Sequence, residues 1–189
     1  MPRLTESRRT ARREQIAAAA LRCFTTKGFT STSMADIIKE SGLSAGSIYS
    51  HFDGKADLVR FIAAAVLEAR TAGLCDAAAP GEVVQGMLQT VDRERAQLLL
   101  QVWTEAARDP ELASLVQNQM RTTRAAIEAK LLAWVRIHAA SDEQEAAGLA
   151  GRYADAVLSA AHGCVVWIAL DPAVDAQELI AGISVMVER

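Results

Sequence analysis

Apolar residues recur along this chain at intervals of three and four for almost its whole length, and no stretch sustains a period-two alternation. That is the pattern of helices with one buried face. Ile16, Ala20, Cys23 and Phe24 share the first face, which Gly28 and Phe29 close. Ile37 and Ile38 mark a second, short helix. Ser33 followed by Asp36 is a capping-box start for it, and Gly42 is its stop, since glycine takes a left-handed conformation cheaply. Leu43 fills the elbow, and Ser44 is placed to cap a third helix that buries Ile48 and Phe52. Asp53 is placed to cap a fourth, which carries Lys55, Leu58, Phe61, Ile62, Ala65, Val66 and Ala69. Gly73 and residues 76–81 read as a loop. Helices are then expected over 83–91, 95–108, 110–138, 141 to about 169 and 176–187. Asp109-Pro110 and Asp171-Pro172 are the breaks. The class is all-α, with roughly nine helices.

The corner at residues 33–52 carries the most information. A helix stopped by glycine and followed by a second short helix is a common corner in ordinary helical proteins. Here the second helix leaves Ala45, Gly46, Ser47, Tyr49, Ser50 and His51 outward, a small and hydroxyl-bearing face of the kind a DNA major groove accommodates. Charge supports that reading. The chain is −3 overall, yet residues 1–60 hold ten Lys/Arg against six acids, and the remainder is net −7. A basic N-terminal part on an acidic remainder lets one face approach a polyphosphate. Arg3, Arg8, Arg9, Arg12 and Arg13 are the densest cluster. They suit either a solvated tail or contacts to phosphate and the minor groove.

From about Thr10 to Leu58 the sequence resembles the TetR (tetracycline-repressor-like) family of transcriptional regulators. The resemblance rests on Ile16, Ala20, Phe24, Gly28, Phe29, Thr30, Ile37, Ser41, Gly42, Ser44, Gly46, Ile48, Tyr49, His51, Phe52, Lys55 and Leu58. It implies a helix-turn-helix DNA-binding domain over 1–54 and a ligand-binding and dimerisation domain over 55–189. It further implies that Ala45, Gly46 and Ser47 face the groove, and that Tyr49, His51 and Lys55 contact the DNA backbone. Ser33 and Ser44 join that set, with Arg8, Arg9, Arg12 and Arg13 as tail contacts. The function implied is a homodimeric repressor, released from a palindromic DNA operator by a small, largely apolar effector.

Beyond about residue 65 the resemblance weakens and the helix pattern carries the reading. Helix 142–169 is apolar nearly all round, so it is either the central helix of a monomer or, together with 175–188, the contact with a second copy. Phe61, Leu99, Trp103, Met120, Trp134, Tyr153 and His162 are candidates to line an effector pocket; plain core is the alternative for each. Cys23, Cys75 and Cys164 form no CxxC pair, which argues against a disulfide framework or structural zinc. The alternative to an effector is control by a partner protein or by oxidation of Cys75 or Cys164. No nucleophile–base pair, metal cluster or phosphate-cradling glycine loop points to an enzyme, a metal or another cofactor. No run approaches the ~18 uninterrupted apolar residues of a membrane span, and the arginine-rich start has no apolar signal core, so a cytoplasmic protein is expected.

Overall fold

The computed structural model describes residues 6–72 and 79–187, with side chains over 6–67 and 79–185. Among the described residues there are nine helices and no strand: α1 (Glu6–Lys27), α2 (Met34–Ser41), α3 (Ala45–Tyr49), α4 (Lys55–Ala72), α5 (Pro80–Leu88), α6 (Arg93–Ala106), α7 (Pro110–His138), α8 (Glu143–Leu170) and α9 (Ala176–Val187). Cys75, most of the expected loop and Glu188 lie outside the described residues.

The chain divides into two compact units, Met1–Ala65 and Val66–Arg189. The sequence puts the division at 54/55. The first half of α4 belongs to the N-terminal unit because Leu58, Val59, Ile62 and Ala63 are buried there. Ile16, Ala20, Phe24, Phe29, Ile37, Ile48 and Phe52 complete that core. Phe24 and Phe29 meet edge to face at 4.6 Å, an arrangement that adds to simple area burial.

The expected caps form. Ser33 Oγ accepts the Asp36 N–H at 3.2 Å while the Asp36 carboxylate accepts the Ser33 N–H at 2.9 Å. Lys27 and then Ser33 hold the Asp36 carboxyl well below the usual carboxylate range. Gly28 (φ 80°) and Gly42 (φ 67°) are the described residues with positive φ, and both close helices. The start of α4 differs from the expectation. There Asp57 Oδ2 accepts the Asp53 N–H at 3.2 Å, so the capping carboxylate lies inside the first turn.

In the C-terminal unit α8 packs against α5, α6, α7 and α9, and α5 also packs on α9. Asp109 caps α7 with Pro110 at its first position, and Asp142 caps α8. Arg124 of α7 bonds Asp155 of α8 at 2.6 Å, and Arg136 pairs with Glu143 across the α7–α8 turn. Ser184 of α9 donates to the Gly81 carbonyl at 3.2 Å. Among the described residues α8 is the one helix long and apolar enough to cross a membrane by length and composition. Its inner positions, Ala150, Ala154, Val157, Ala161, Cys164, Val165 and Ile168, are buried against neighbouring helices.

Candidate nucleic-acid interface

One side-chain cap and one apolar anchor aim α3. Ser44 Oγ accepts the Ser47 N–H at 3.2 Å, and Ile48 points inward with no exposure. With Ile48 fixed, Ala45, Gly46, Tyr49 and Ser50 are exposed and Ser47 is half-buried. Tyr49 keeps 51% of its surface accessible. A Cβ added at Gly46 would meet nothing within 4 Å, so that side is open space. Ser33 and Ser44 spend hydroxyl capacity on capping, which makes them positioners of the two helices.

Of the arginines expected to form a tail, Arg8, Arg9, Arg12 and Arg13 are helical, because α1 begins at Glu6, and Arg3 lies outside the described residues. Arg8 and Arg9 are exposed, and Arg12 donates to Gln15 at 2.8 Å. Arg13 turns inward. Its Nη1 donates to the His51 carbonyl at 3.2 Å, and its guanidinium lies 4.5 Å from the Phe52 ring centroid and 4.6 Å from that of Phe61. These contacts tie α1 to the turn that follows α3. Truncating Arg13 to Ala should therefore lower the stability of the N-terminal unit, on the order of 1–2 kcal/mol for a partly desolvated cation over two rings. Arg13→Lys should recover only part of it, because an ammonium lacks the planar fork. Urea titration of both variants checks this, and an unchanged midpoint for Arg13→Ala would defeat it.

His51 is half-buried, and its Nδ1 is buried without a hydrogen-bond partner. Burial first, and then the charges of Arg9, Arg13 and Arg12, push its pKa down. The ring is thus held neutral amid positive charge, the field that attracts phosphate. Lys55 is committed inward as well. Its Nζ donates to the carbonyls of Phe29 at 2.6 Å, Thr32 at 3.0 Å and Thr30 at 3.3 Å. Sequence reading missed this clamp, since its acceptors lie 23 to 26 residues away and are backbone atoms.

The residues expected around a pocket fall into separate places. Phe61 belongs to the N-terminal unit, against Phe52 at 5.4 Å. Leu99 is core. Trp134 stacks on His138, meets Tyr153 edge to face, and packs with it on Val135, Ala146 and Ala150. Trp103, Met120 and His162 do converge, with Leu67, Gln119, Thr123 and Leu158, around a space of about 10 Å³. That admits about one water, far below the several hundred Å³ of a ligand pocket. An open groove of about 640 Å³ lies elsewhere in this unit, between the end of α5 and the start of α9, lined by Leu88, Val91, Gln177 and Ile180 among others. Cys164 is fully buried, and burial pushes its thiol pKa up, which suits an inert core residue better than a redox sensor.

Residues 16–62 match the model of the bacterial regulatory proteins, tetR family. This segment is of the tetR family. The tetR-family segment is 42% identical over 60 residues to the HTH-type transcriptional regulator TtgR of Pseudomonas putida, covering 32% of this chain and 29% of that protein. It is 41% identical over 58 residues to the HTH-type transcriptional regulator AcrR of Shigella flexneri, covering 31% and 27%. The matches thus span under a third of those relatives' own length. Over nearly the whole chain the fold is that of GusR from Salmonella enterica, with a TM-score of 0.74, 23% identity, and coverage of 98% and 97%.

Proposed function

We propose that the protein is a DNA-binding transcriptional regulator, a homodimeric repressor that a small effector releases from a palindromic operator. The observation that carries the DNA reading is α3: a five-residue helix anchored by Ile48, with Ala45, Gly46 and Tyr49 outward and the arginines of α1 around the His51 turn. Ser47 is the groove-facing side chain able to read a base edge, while Arg8, Arg9 and Tyr49 serve the phosphates.

Dimerisation is supported by α8. Ala156, Gly163, Trp167 and Leu170 follow one another at helical spacing and are all exposed. Trp167 is 60% and Leu170 68% accessible. Glycine inside a helix costs about 0.5–1 kcal/mol relative to alanine. A Cβ at Gly163 or at Gly182 of α9 would meet nothing within 4 Å, so neither glycine is required by its own subunit's packing. A partner helix approaching closely accounts for both. Occupancy of a palindrome by such a dimer blocks transcription there. An effector that prefers the conformer in which the two N-terminal units no longer match the half-site spacing then releases the DNA.

Selection from a random duplex library tests the function. Wild type should enrich a palindrome with half-sites about one helical turn, or a multiple of it, apart. Ser47→Ala should relax preference at one or two base pairs in each half-site, at a cost on the order of 1 kcal/mol. Failure to enrich any sequence, or a Ser47→Ala profile identical to wild type at every position, would overturn the reading.

A further inference from the structure

Trp103 carries a polar atom that no protein group satisfies. Its Nε1–H is buried and has no hydrogen-bond partner. An indole nitrogen only donates, and an unpaired buried donor is costly enough that native structures rarely keep one without a use. The His162 ring lies 5.0 Å from the Trp103 ring at 78°, edge to face, so Trp103 is fixed by its neighbour. Both line the small space shared with Leu67, Gln119, Met120, Thr123 and Leu158.

A second donor there is loosely held. Gln119 Nε2 reaches the Leu67 carbonyl at 3.4 Å and Thr123 Oγ1 at 3.5 Å, both at the outer limit of hydrogen-bond geometry. The residues that carry these two under-used donors, Trp103 and Gln119, share the space with Leu67, Met120 and Leu158. Among the described residues no Lys, Arg, Asp or Glu lines the space, and His162 is the one titratable side chain there; that lining favours a neutral ligand, since burying an unpaired charge is prohibitive. The complement is one neutral oxygen acceptor on an apolar body. About 10 Å³ holds that oxygen but not the body. Met120 and Gln119 are half-buried and unbranched, and methionine in particular repacks readily. Their displacement makes the liganded conformer differ from the empty one, which is what coupling to a second site requires.

We propose that the effector is a small neutral molecule with an apolar body and a carbonyl-type oxygen, and that this oxygen accepts the Trp103 Nε1–H. The inference rests on the effector reading above and narrows it from an apolar ligand to an acceptor-bearing one. Acetophenone and ethylbenzene, nearly isosteric and differing in the ketone oxygen, are the probes, titrated calorimetrically into the full chain. Acetophenone should bind at least about 10-fold tighter, the discrimination expected when a site's donor is left unpaired by the poorer ligand. Trp103→Phe keeps the ring and deletes the N–H, and it should erase that preference. Equal or tighter binding of ethylbenzene, no binding of either probe, or a preference that survives Trp103→Phe each overturns the proposal. The wild-type pair decides it alone if the variant does not fold. DNA binding of the unliganded protein is measured separately, by anisotropy on the selected duplex. Loss there sinks the regulator reading, whereas DNA binding without ketone preference sinks only this inference.

Discussion

Trp167→Arg should convert a dimer into a monomer and lower affinity for a palindromic operator by about 10²–10⁴-fold, the gain that linking two binding modules typically gives. The effect is large because the side chain is large and exposed, between Gly163 and Leu170 on one exposed stripe of α8. A buried tryptophan covers on the order of 200 Å², and such residues dominate alanine scans of interfaces. Trp167 keeps 60% of its surface accessible within the subunit, so a charge at this position is tolerated by the fold and rejected by a partner. Val165 is the contrast. It lies two residues away on the same helix with no exposure; Val165→Arg should unfold the subunit, and a monomer seen there would say nothing about assembly. Light scattering at micromolar concentration, paired with anisotropy on the palindrome, separates the two. A Trp167→Arg protein that keeps a dimer's mass and wild-type affinity would remove α8 as the interface.

The elements legible in the sequence are those whose causes are local. Ser33 with Asp36, Ser44 and Asp109-Pro110 each act within one helical turn, and the starts of α2, α3 and α7 follow from them. The i, i+3, i+4 faces give the core residues of α1, α6 and α7 for the same reason. What the sequence hides is non-local. The acceptors of Lys55 are carbonyls, which have no sequence signature, and Arg13 finds its rings at Phe52 and Phe61, far along the chain. The phase of α8 is hidden too, because an all-apolar helix does not say which side meets its own subunit. Val165 reads as well as Trp167 for a partner contact until the neighbours of each are known. The effector residues fail as a set for a related reason. Large side chains on several helices share a cavity only if the helices rotate them toward one point, and periodicity does not fix that rotation. Trp103, Met120 and His162 meet; Trp134 and Tyr153 meet each other elsewhere.

Lys55→Ala should destabilise the N-terminal unit by on the order of 2 kcal/mol, since hydrogen bonding to a charged group contributes about 1.5–3 kcal/mol net of what water would supply. The family resemblance points Lys55 at a DNA phosphate, and the geometry gives it a different occupation. An ammonium has three donors, and the carbonyls of Phe29, Thr30 and Thr32 take them at 2.6, 3.3 and 3.0 Å. Those carbonyls form the turn between α1 and α2, immediately ahead of the Ser33 cap. Thr32 itself is buried and bonds the Gly28 carbonyl at 2.8 Å. Without the ammonium three carbonyl oxygens lose their donor together, and the entry into α2 loosens, which in turn releases the register of α3. DNA affinity should therefore fall through misplacement of α3, not through a lost phosphate contact. The discriminating measurement is the slope of log affinity against log salt, which shortens by roughly one unit for each phosphate contact removed. Arg8→Ala and Arg9→Ala should each shorten it with stability unchanged. Lys55→Ala should leave the slope near wild type while lowering the urea midpoint, and Lys55→Arg should not restore that midpoint, because a planar guanidinium cannot converge on three carbonyls as a compact ammonium does. Wild-type stability together with a slope shortened by one unit would return Lys55 to the phosphate backbone and refute the clamp.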